Sequence, residues 1–316
     1  MGYEDIQTHL MMLADLIRSE TYEAAIGKTV HPGQTVLDFG CGTGLLSFFA
    51  ARSGAERVYA MDNTTIIRTA KTLAEQNGFG NIDFFHNDEK DVSLPSQVDV
   101  LVSEWMGCFI FHEWMLEPLI RLRDAYLKPD GVMLPSRVDL KVGFVTDRTL
   151  VDSLSFFNRR PFDLDFSPIA EWPLYDAFIK SISHEQILPH WVNICSLDMK
   201  TVDKTPETMG GSVITGIEDT VYGLCGWFDA VLCDGVLLST SPLTPKTHWK
   251  QMFFPLSRPV RVKPGEELTV SFSPSQREAD QVTLWKWSLE TASERIQMDN
   301  FIHRALATRE LAKGKL

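Results

Sequence analysis

A doubly wound α/β domain followed by a β-rich domain is the fold class this 316-residue sequence predicts, and three observations carry it. Up to about Pro135, short apolar runs alternate with helix-like stretches, the pattern of an open parallel sheet with helices on its faces. A glycine-rich turn, Gly40-Cys41-Gly42-Thr43-Gly44, separates the first such run from the first helical stretch. Beyond Pro135 the texture changes to strand-like runs of Val, Phe, Trp and Thr punctuated by turns, which suits a barrel or a sandwich. The expected domains are therefore 1–135 and 136–316.

Taken in order, the segment from Tyr3 to Ile26 carries Ile6, Leu10, Leu13, Leu16 and Ile17 at helical spacing and closes with the turn HPGQ, so a helical lead-in is expected. TVLDF is a buried strand leading into GCGTG, and LLSFFAARSG is the helix after it. VYAMD is a second strand, Ile66 to Gln76 a second helix, NIDFF and VDVLVSE further strands, and MLEPLIRLRDAYL a helix ending at KPDG. In the second half VDLKVGFV, VYGLCGWFDAVLC, GVLLST, PVRVK, LTVSFS and VTLWKWSL are strand-like. The insertion from Ser153 to about Ser183, with its aromatics and prolines, makes a poor strand and a short helix at best; it suits an arm whose apolar face another surface covers.

Composition narrows the function classes. Hydrophobic residues make up 44% and charged residues 23%, as in a soluble globular protein. Thirty Lys and Arg against 42 Asp and Glu give a formal charge of −12, which argues against nucleic acid or an anionic membrane as partner and for cationic substrates. The five cysteines, Cys41, Cys108, Cys195, Cys225 and Cys233, include no Cys-x-x-Cys pair, so neither a disulfide framework nor a zinc cluster is indicated. With no signal-like N-terminus and no apolar run of membrane-span length, a cytosolic protein is expected, or a nuclear one if its source has a nucleus.

Two segments carry chemistry. In VLDFGCGTG, Gly40, Gly42 and Gly44 let a ligand approach the backbone, and Asp38 adds a negative charge at the strand end. A pyrophosphate would be repelled by that acid, whereas the zwitterion S-adenosylmethionine, which carries a sulfonium and no phosphate, would not. Asp62 at the end of VYAMD lies one β-α unit later, where a carboxylate can take two ribose hydroxyls. In SEWMGCFIFHEWM, Glu104 and Glu113 stand nine residues apart, half a circle on a helix and opposite faces on a strand. They converge only if the segment folds back, and Gly107 permits that. A Mg²⁺ or Ca²⁺ site would want more oxygen ligands, and a glycosidase pair would need a sugar cleft; two solvated glutamates are the plain alternative.

With these residues in view, the sequence resembles the protein arginine N-methyltransferases over nearly its whole length. HLMMLADLIRSETY, VLDFGCGTG, SEWMGCFIFHEWM and PLTPKTHWKQ match that family in order. The resemblance implies an S-adenosylmethionine-binding Rossmann-like domain, a β-barrel domain, and a helical dimerisation arm inserted at about 153–183, giving a homodimer. It implies that Glu104 and Glu113 clamp a guanidinium, with Glu113 as proton acceptor or relay, and that His248 of the Thr247-His248-Trp249 motif pairs with Asp15. For the cofactor it implies His9 and Arg18, the latter on the methionine carboxylate. For the acceptor pocket it implies Trp249, with Met12 and Met115 where makers of asymmetric dimethylarginine carry methionines.

Departures from the family pattern are also expected to matter. Asp62 replaces a glutamate. The adenine-contacting acid aligns with Lys90, with Glu89 or Asp91 one residue away. Cys108 and His112 replace tyrosines, and only Tyr3 remains of the usual N-terminal aromatics. Three functions follow: methylation of arginine in proteins, including Arg/Gly-rich substrates; methylation of free arginine or another small guanidino compound; and a silent subunit that activates a related partner, against which the intact Glu104, Glu113 and His248 argue.

Overall fold

The computed structural model describes residues 5–111, 113–277 and 282–300. The chain divides into two compact units. The first comprises residues up to Val138 together with two returns of the chain, Leu197–Thr205 and Asp229–Ser239. It opens with α1 (Ile6–Ala14) and α2 (Leu16–Thr29), and continues β1 (Thr35–Phe39), α3 (Leu45–Arg52), β2 (Arg57–Met61), α4 (Ile67–Gln76), β3 (Ile82–Phe85), β4 (Val98–Ser103), α5 (Leu116–Tyr126) and β5 (Leu127–Leu134). The five strands form a parallel sheet in the order β3-β2-β1-β4-β5. Their central positions, Val36, Leu37, Val58, Val100 and Leu101 among them, are fully buried, as expected of strands covered on both faces. The order reverses between β1's two neighbours, and the loops after β1 and β4 leave side by side at that switch point.

Two details differ from the sequence expectation. The single lead-in helix is two helices broken at Asp15, whose φ of −76° and ψ of 89° are not helical and whose carboxylate caps α2 by accepting from the Arg18 amide at 3.0 Å. Its apolar stripe also faces outward: Ile6, Leu10, Leu13 and Leu16 are 67%, 65%, 40% and 63% exposed, whereas His9, Arg18, Ser19 and Tyr22 are buried. The helices turn their polar residues inward because those residues reach the loops described below. The helix expected to end at KPDG does so: α5 stops at Tyr126, and residues 128–131 lie in β5 opposite the register shift between Val98 and Val100 of β4.

The returns belong to the first unit through specific bonds. Arg123 of α5 donates to the carbonyls of Met199 and Val202 at 3.0 and 2.6 Å, and the Ser136 amide donates to the Val231 carbonyl at 2.9 Å.

The second unit is built on antiparallel pairing. Its elements are β6 (Arg137–Val145, from Asp139 onward), α6 (Arg148–Asp152), β7 (Phe178–Lys180), β8 (Ile187–Asp198, up to Ser196), β9 (Met209–Ile214), β10 (Asp219–Cys233, up to Phe228), β12 (Gln251–Val262), β13 (Glu267–Arg277), β14 (Val282–Glu290) and β15 (Arg295–Asp299). The short strand β11 (Val236–Ser239) pairs with the end of β10. One sheet runs β7-β12-β10-β6-β8 and the other β15-β14-β13-β9. Phe254, Phe272 and Trp285 meet edge to face at centroid distances of 5.0 to 6.5 Å and form part of its core. The inserted arm contains short 3-10 helices, in keeping with its prolines and with the short helix at best that its sequence allowed. Leu154 and Ile182 at its roots pack with Val145, Trp227 and Phe253. Its outer residues Phe156, Phe162, Leu164 and Trp172 are 52%, 88%, 58% and 44% exposed.

Candidate active site

The glycine turn after β1 is shaped by its own hydrogen bonds. Gly40, Gly42 and Gly44 adopt φ of 74°, 54° and 88°, the left-handed region that favours glycine. The amides of Gly40 and Cys41 both donate to the Met61 carbonyl at 2.9 Å, Gly42 donates to the Asp62 carboxylate at 2.9 Å, and Gly44 to the Cys41 carbonyl at 2.8 Å. With these amides committed, the turn offers no row of N–H groups for a pyrophosphate, and a phosphate-free cofactor fits it. A Cβ at Gly42 would lie 3.3 Å from His9 Cε1, and one at Gly40 would lie 3.3 Å from Met115 Cε. His9 from α1 and Met115 from the acid loop therefore both sit over the turn. Gly44 has a packing role, since a Cβ there would meet the Phe48 ring at 2.9 Å.

Two acids expected to meet the cofactor hold hydrogen bonds within the chain. Asp38 is fully buried beneath the turn, where Ser47 of α3 donates to its Oδ2 at 2.6 Å and Oδ1 has no partner. Burial, the largest cause, pushes its pKa up to about 7. Asp62 was expected to take both ribose hydroxyls. Its Oδ1 already accepts from the Thr64 amide and hydroxyl at 2.8 and 2.6 Å and its Oδ2 from Gly42, which leaves one acceptor site where a diol needs two. One methylene shorter than glutamate, Asp62 ties the turn to its own loop. Among the adenine candidates, Lys90 and Asp91 are exposed, while the Glu89 side chain is 7% exposed and pairs with Arg121 of α5.

Asp38 makes a pH prediction with a definite sign. The folded state holds a proton that the unfolded chain releases above pH 3.8, so its contribution to stability is full below that pH and lost as pH rises through about 7. Between pH 5 and 8 this amounts to about 3 kcal/mol. Asp38→Asn is expected to flatten that part of the profile, read from urea midpoints at the two pH values; parallel profiles for wild type and variant would count against it.

The acid loop folds back on left-handed residues. Gly107, Ile110 and Trp114 have φ of 49°, 60° and 54°, and the Ile110 amide closes on the Met106 carbonyl at 2.7 Å. Trp105, Met106, Phe109, Ile110 and Phe111 are buried, so apolar packing holds backbone angles that non-glycine residues rarely adopt. Glu104 Oε1 accepts from the Met106 amide at 3.3 Å, and Glu113 Oε1 lies 2.8 Å from where a Cβ would stand on Gly107. The two carboxylates thus lie against adjacent residues of one turn.

Arg18 of α2 joins them: its Nε and Nη2 donate to Glu104 Oε2 at 3.2 and 3.0 Å, with both side chains less than a tenth exposed. Arg18, which the resemblance assigns to the cofactor carboxylate, is here the ion-pair partner of Glu104. Gly107→Ala is expected to push the Glu113 carboxylate aside, lowering turnover at least tenfold for about 1 kcal/mol of stability. Wild-type turnover in a folded Gly107→Ala protein would contradict this placement of Glu113.

The remaining expected residues fall as follows. Met12 is half-buried on α1 and Asp15 caps α2. Trp249, expected to line the acceptor pocket, is 3% exposed and packs edge-on against Phe228 at 5.5 Å, so it serves the core of the second unit. His248 is half-buried with its ring 4.2 Å from that of Trp249. His112 lies outside the described residues, as does Tyr3. Among the described residues no cluster of His, Cys, Asp and Glu has metal-binding geometry, and no helix is long and apolar enough to cross a membrane. Sequence reasoning passed over Tyr22 and Ser103, both buried against the site. Tyr22 lies one turn after Arg18, on the same helix face, and that spacing was the available signal.

Comparison with known proteins agrees with this geometry. Residues 36–131 match the family model described as a methyltransferase domain, and residues 137–291 the one described as an arginine methyltransferase oligomerization subdomain. The chain is 32% identical over 286 residues to protein arginine N-methyltransferase 1 of Schizosaccharomyces pombe, covering 87% of this chain and 84% of that one. It is 33% identical over 290 residues to protein arginine N-methyltransferase 6 of Xenopus laevis, covering 86% and 85%. Among solved structures, the Trypanosoma brucei PRMT1 enzyme-prozyme heterotetrameric complex with AdoHcy superposes with a TM-score of 0.86 at 28% identity, over 94% of this chain and 98% of that one.

Proposed function

The chain belongs to the protein arginine N-methyltransferase family, S-adenosylmethionine-dependent enzymes that methylate arginine in proteins, and from that premise we propose that its products are ω-monomethylarginine and asymmetric dimethylarginine. The observation that carries the reading is the fold-back that sets Glu104 and Glu113 against Met106 and Gly107, with Met115 against Gly40 of the cofactor turn. When bound, S-adenosylmethionine supplies an electrophilic methyl group on a sulfonium sulfur.

The acceptor guanidinium is planar, with five N–H donors in a fixed fork that two carboxylates can orient. Glu104 accepts two bonds from Arg18 and one from Met106, so Arg18 fixes its orientation while Oε1 keeps an acceptor site. Holding positive charge at the nitrogens bound by the acids leaves lone-pair density on the nitrogen that attacks. Glu113 accepts or relays the proton that the product releases. The pocket thioethers of Met12 and Met115 are soft enough to accommodate an already methylated nitrogen.

The arm's exposed Phe156, Phe162, Leu164 and Trp172 support self-association, in keeping with the oligomerization subdomain that the second half matches. A homodimer through the arm is the proposal, and sedimentation as a monomer at micromolar concentration would refute it.

The test of the reaction is incubation with radiolabelled S-adenosylmethionine and either a glycine-arginine-rich protein or free arginine, followed by analysis of the methylated products. Label in the protein as monomethyl and asymmetric dimethylarginine is expected. Symmetric dimethylarginine, or label in free arginine alone, would overturn the reading.

A further inference from the structure

Tyr22 and Ser103 form a strut beneath the site. Tyr22 of α2 is fully buried, and its hydroxyl donates to the Ser103 carbonyl at 3.1 Å. Ser103, equally buried, donates its own hydroxyl to the Phe39 carbonyl at 2.7 Å. Ser103 is the last residue of β4 and immediately precedes Glu104; Phe39 is the last residue of β1 and immediately precedes Gly40. Two bonds in series therefore tie the lead-in helix to the strand end that launches the acid loop, and that strand end to the one that launches the cofactor turn.

The same tyrosine supports the clamp from the other side. The Arg18 guanidinium carbon lies 6.0 Å from the centroid of the Tyr22 ring, so the phenol stands beside both Glu104's backbone and Glu104's ion-pair partner. Burial first, and then the Glu104 charge, hold the phenol pKa well above its ordinary value, and Tyr22 stays a neutral donor. Ordinary core packing would need a large apolar ring at this position, but neither the hydroxyl nor its partner.

We infer that Tyr22 and Ser103 are positioning residues, which hold the acceptor clamp Glu104 in register with the cofactor turn through this strut. Neither touches the reacting atoms; they act through Glu104 and Gly40. Transfer between two bound groups is steep in alignment, and a displacement of about 1 Å costs about a hundredfold in rate. The two residues divide the work: the Tyr22 bond controls Glu104 directly, and the Ser103 hydroxyl controls the spacing of Glu104 from the turn. The inference rests on Glu104 being the acceptor clamp.

The experiment is steady-state kinetics on an arginine-containing peptide, with cofactor Kd by calorimetry and urea unfolding measured on the same proteins. Tyr22→Phe keeps the ring and removes only the hydroxyl; kcat/KM for the peptide is expected to fall about tenfold to a hundredfold, with cofactor Kd within about twofold. Ser103→Ala is expected to lose turnover and weaken cofactor binding about fivefold, and Ser103→Thr, which retains a hydroxyl, to recover most of both. Glu104→Gln is run in parallel. If Glu104→Gln keeps wild-type turnover, the clamp reading fails and the strut with it. If Glu104→Gln is inactive while Tyr22→Phe matches wild type in kcat and KM, the strut alone is overturned. Should Tyr22→Phe not fold, the serine pair decides: equal kinetics for Ser103→Ala, Ser103→Thr and wild type would overturn the inference.

Discussion

Glu113→Gln is expected to lower kcat by about two to three orders of magnitude while cofactor affinity stays within about twofold. Glutamine keeps the shape and a carbonyl acceptor but removes the negative charge and the basicity that the proposed role of Glu113 requires. The carboxylate lies over Gly107 in the acid loop, so the loss falls on the acceptor side of the reaction. Calorimetry with the cofactor and single-turnover methyl transfer separate the two effects. Unchanged turnover would refute the role assigned to Glu113, and a parallel collapse of cofactor binding would make it a structural residue.

Arg18→Met is expected to destabilise the protein by about 3 kcal/mol and to abolish turnover. The Arg18 and Glu104 side chains are 9% and 8% exposed, so removing the guanidinium leaves a carboxylate away from water without its partner. Glu104→Gln strands the cation in the same way. The double variant Arg18→Met, Glu104→Gln removes both charges, and its stability is expected to return to within about 1 kcal/mol of wild type. Urea denaturation of the four proteins gives the coupling directly. Additive losses would show that the pair is not coupled in the folded state. Turnover is not expected to return in the double variant, because the proposed acceptor clamp requires Glu104's charge whatever the stability.

The outline of the fold was readable because period and punctuation carry it. TVLDF, VYAMD, NIDFF and VDVLVS became β1 to β4 within a residue or so, since buried parallel strands are short continuous apolar runs. KPDG marked the end of α5 correctly, and its residues enter β5 at a register shift on the edge strand of the parallel sheet, where the exposed Pro129 and Asp130 are tolerated. The lead-in is helical as its spacing predicts, but which face it buries was not legible. Its leucines and isoleucines announce a buried stripe, but burial goes to whichever face has a partner, and here the partners are Glu104 for Arg18 and Ser103 for Tyr22.

By itself the sequence determined the class of chemistry. A glycine turn after the first strand, two glutamates around Gly107 and a Thr-His-Trp motif in order name the residue types that a sulfonium cofactor and a guanidinium require. Tertiary structure alone decided which partners each residue meets. Asp38 went beneath the cofactor turn, Asp62 became its tie, Trp249 entered the core, and Arg18 met Glu104 from 86 residues away. The physical reason is that residue type limits which bonds a side chain can make, while a carboxylate's actual partner depends on which donors the folded chain brings within 3 Å. Those donors come from elements distant in sequence, so no local pattern records them.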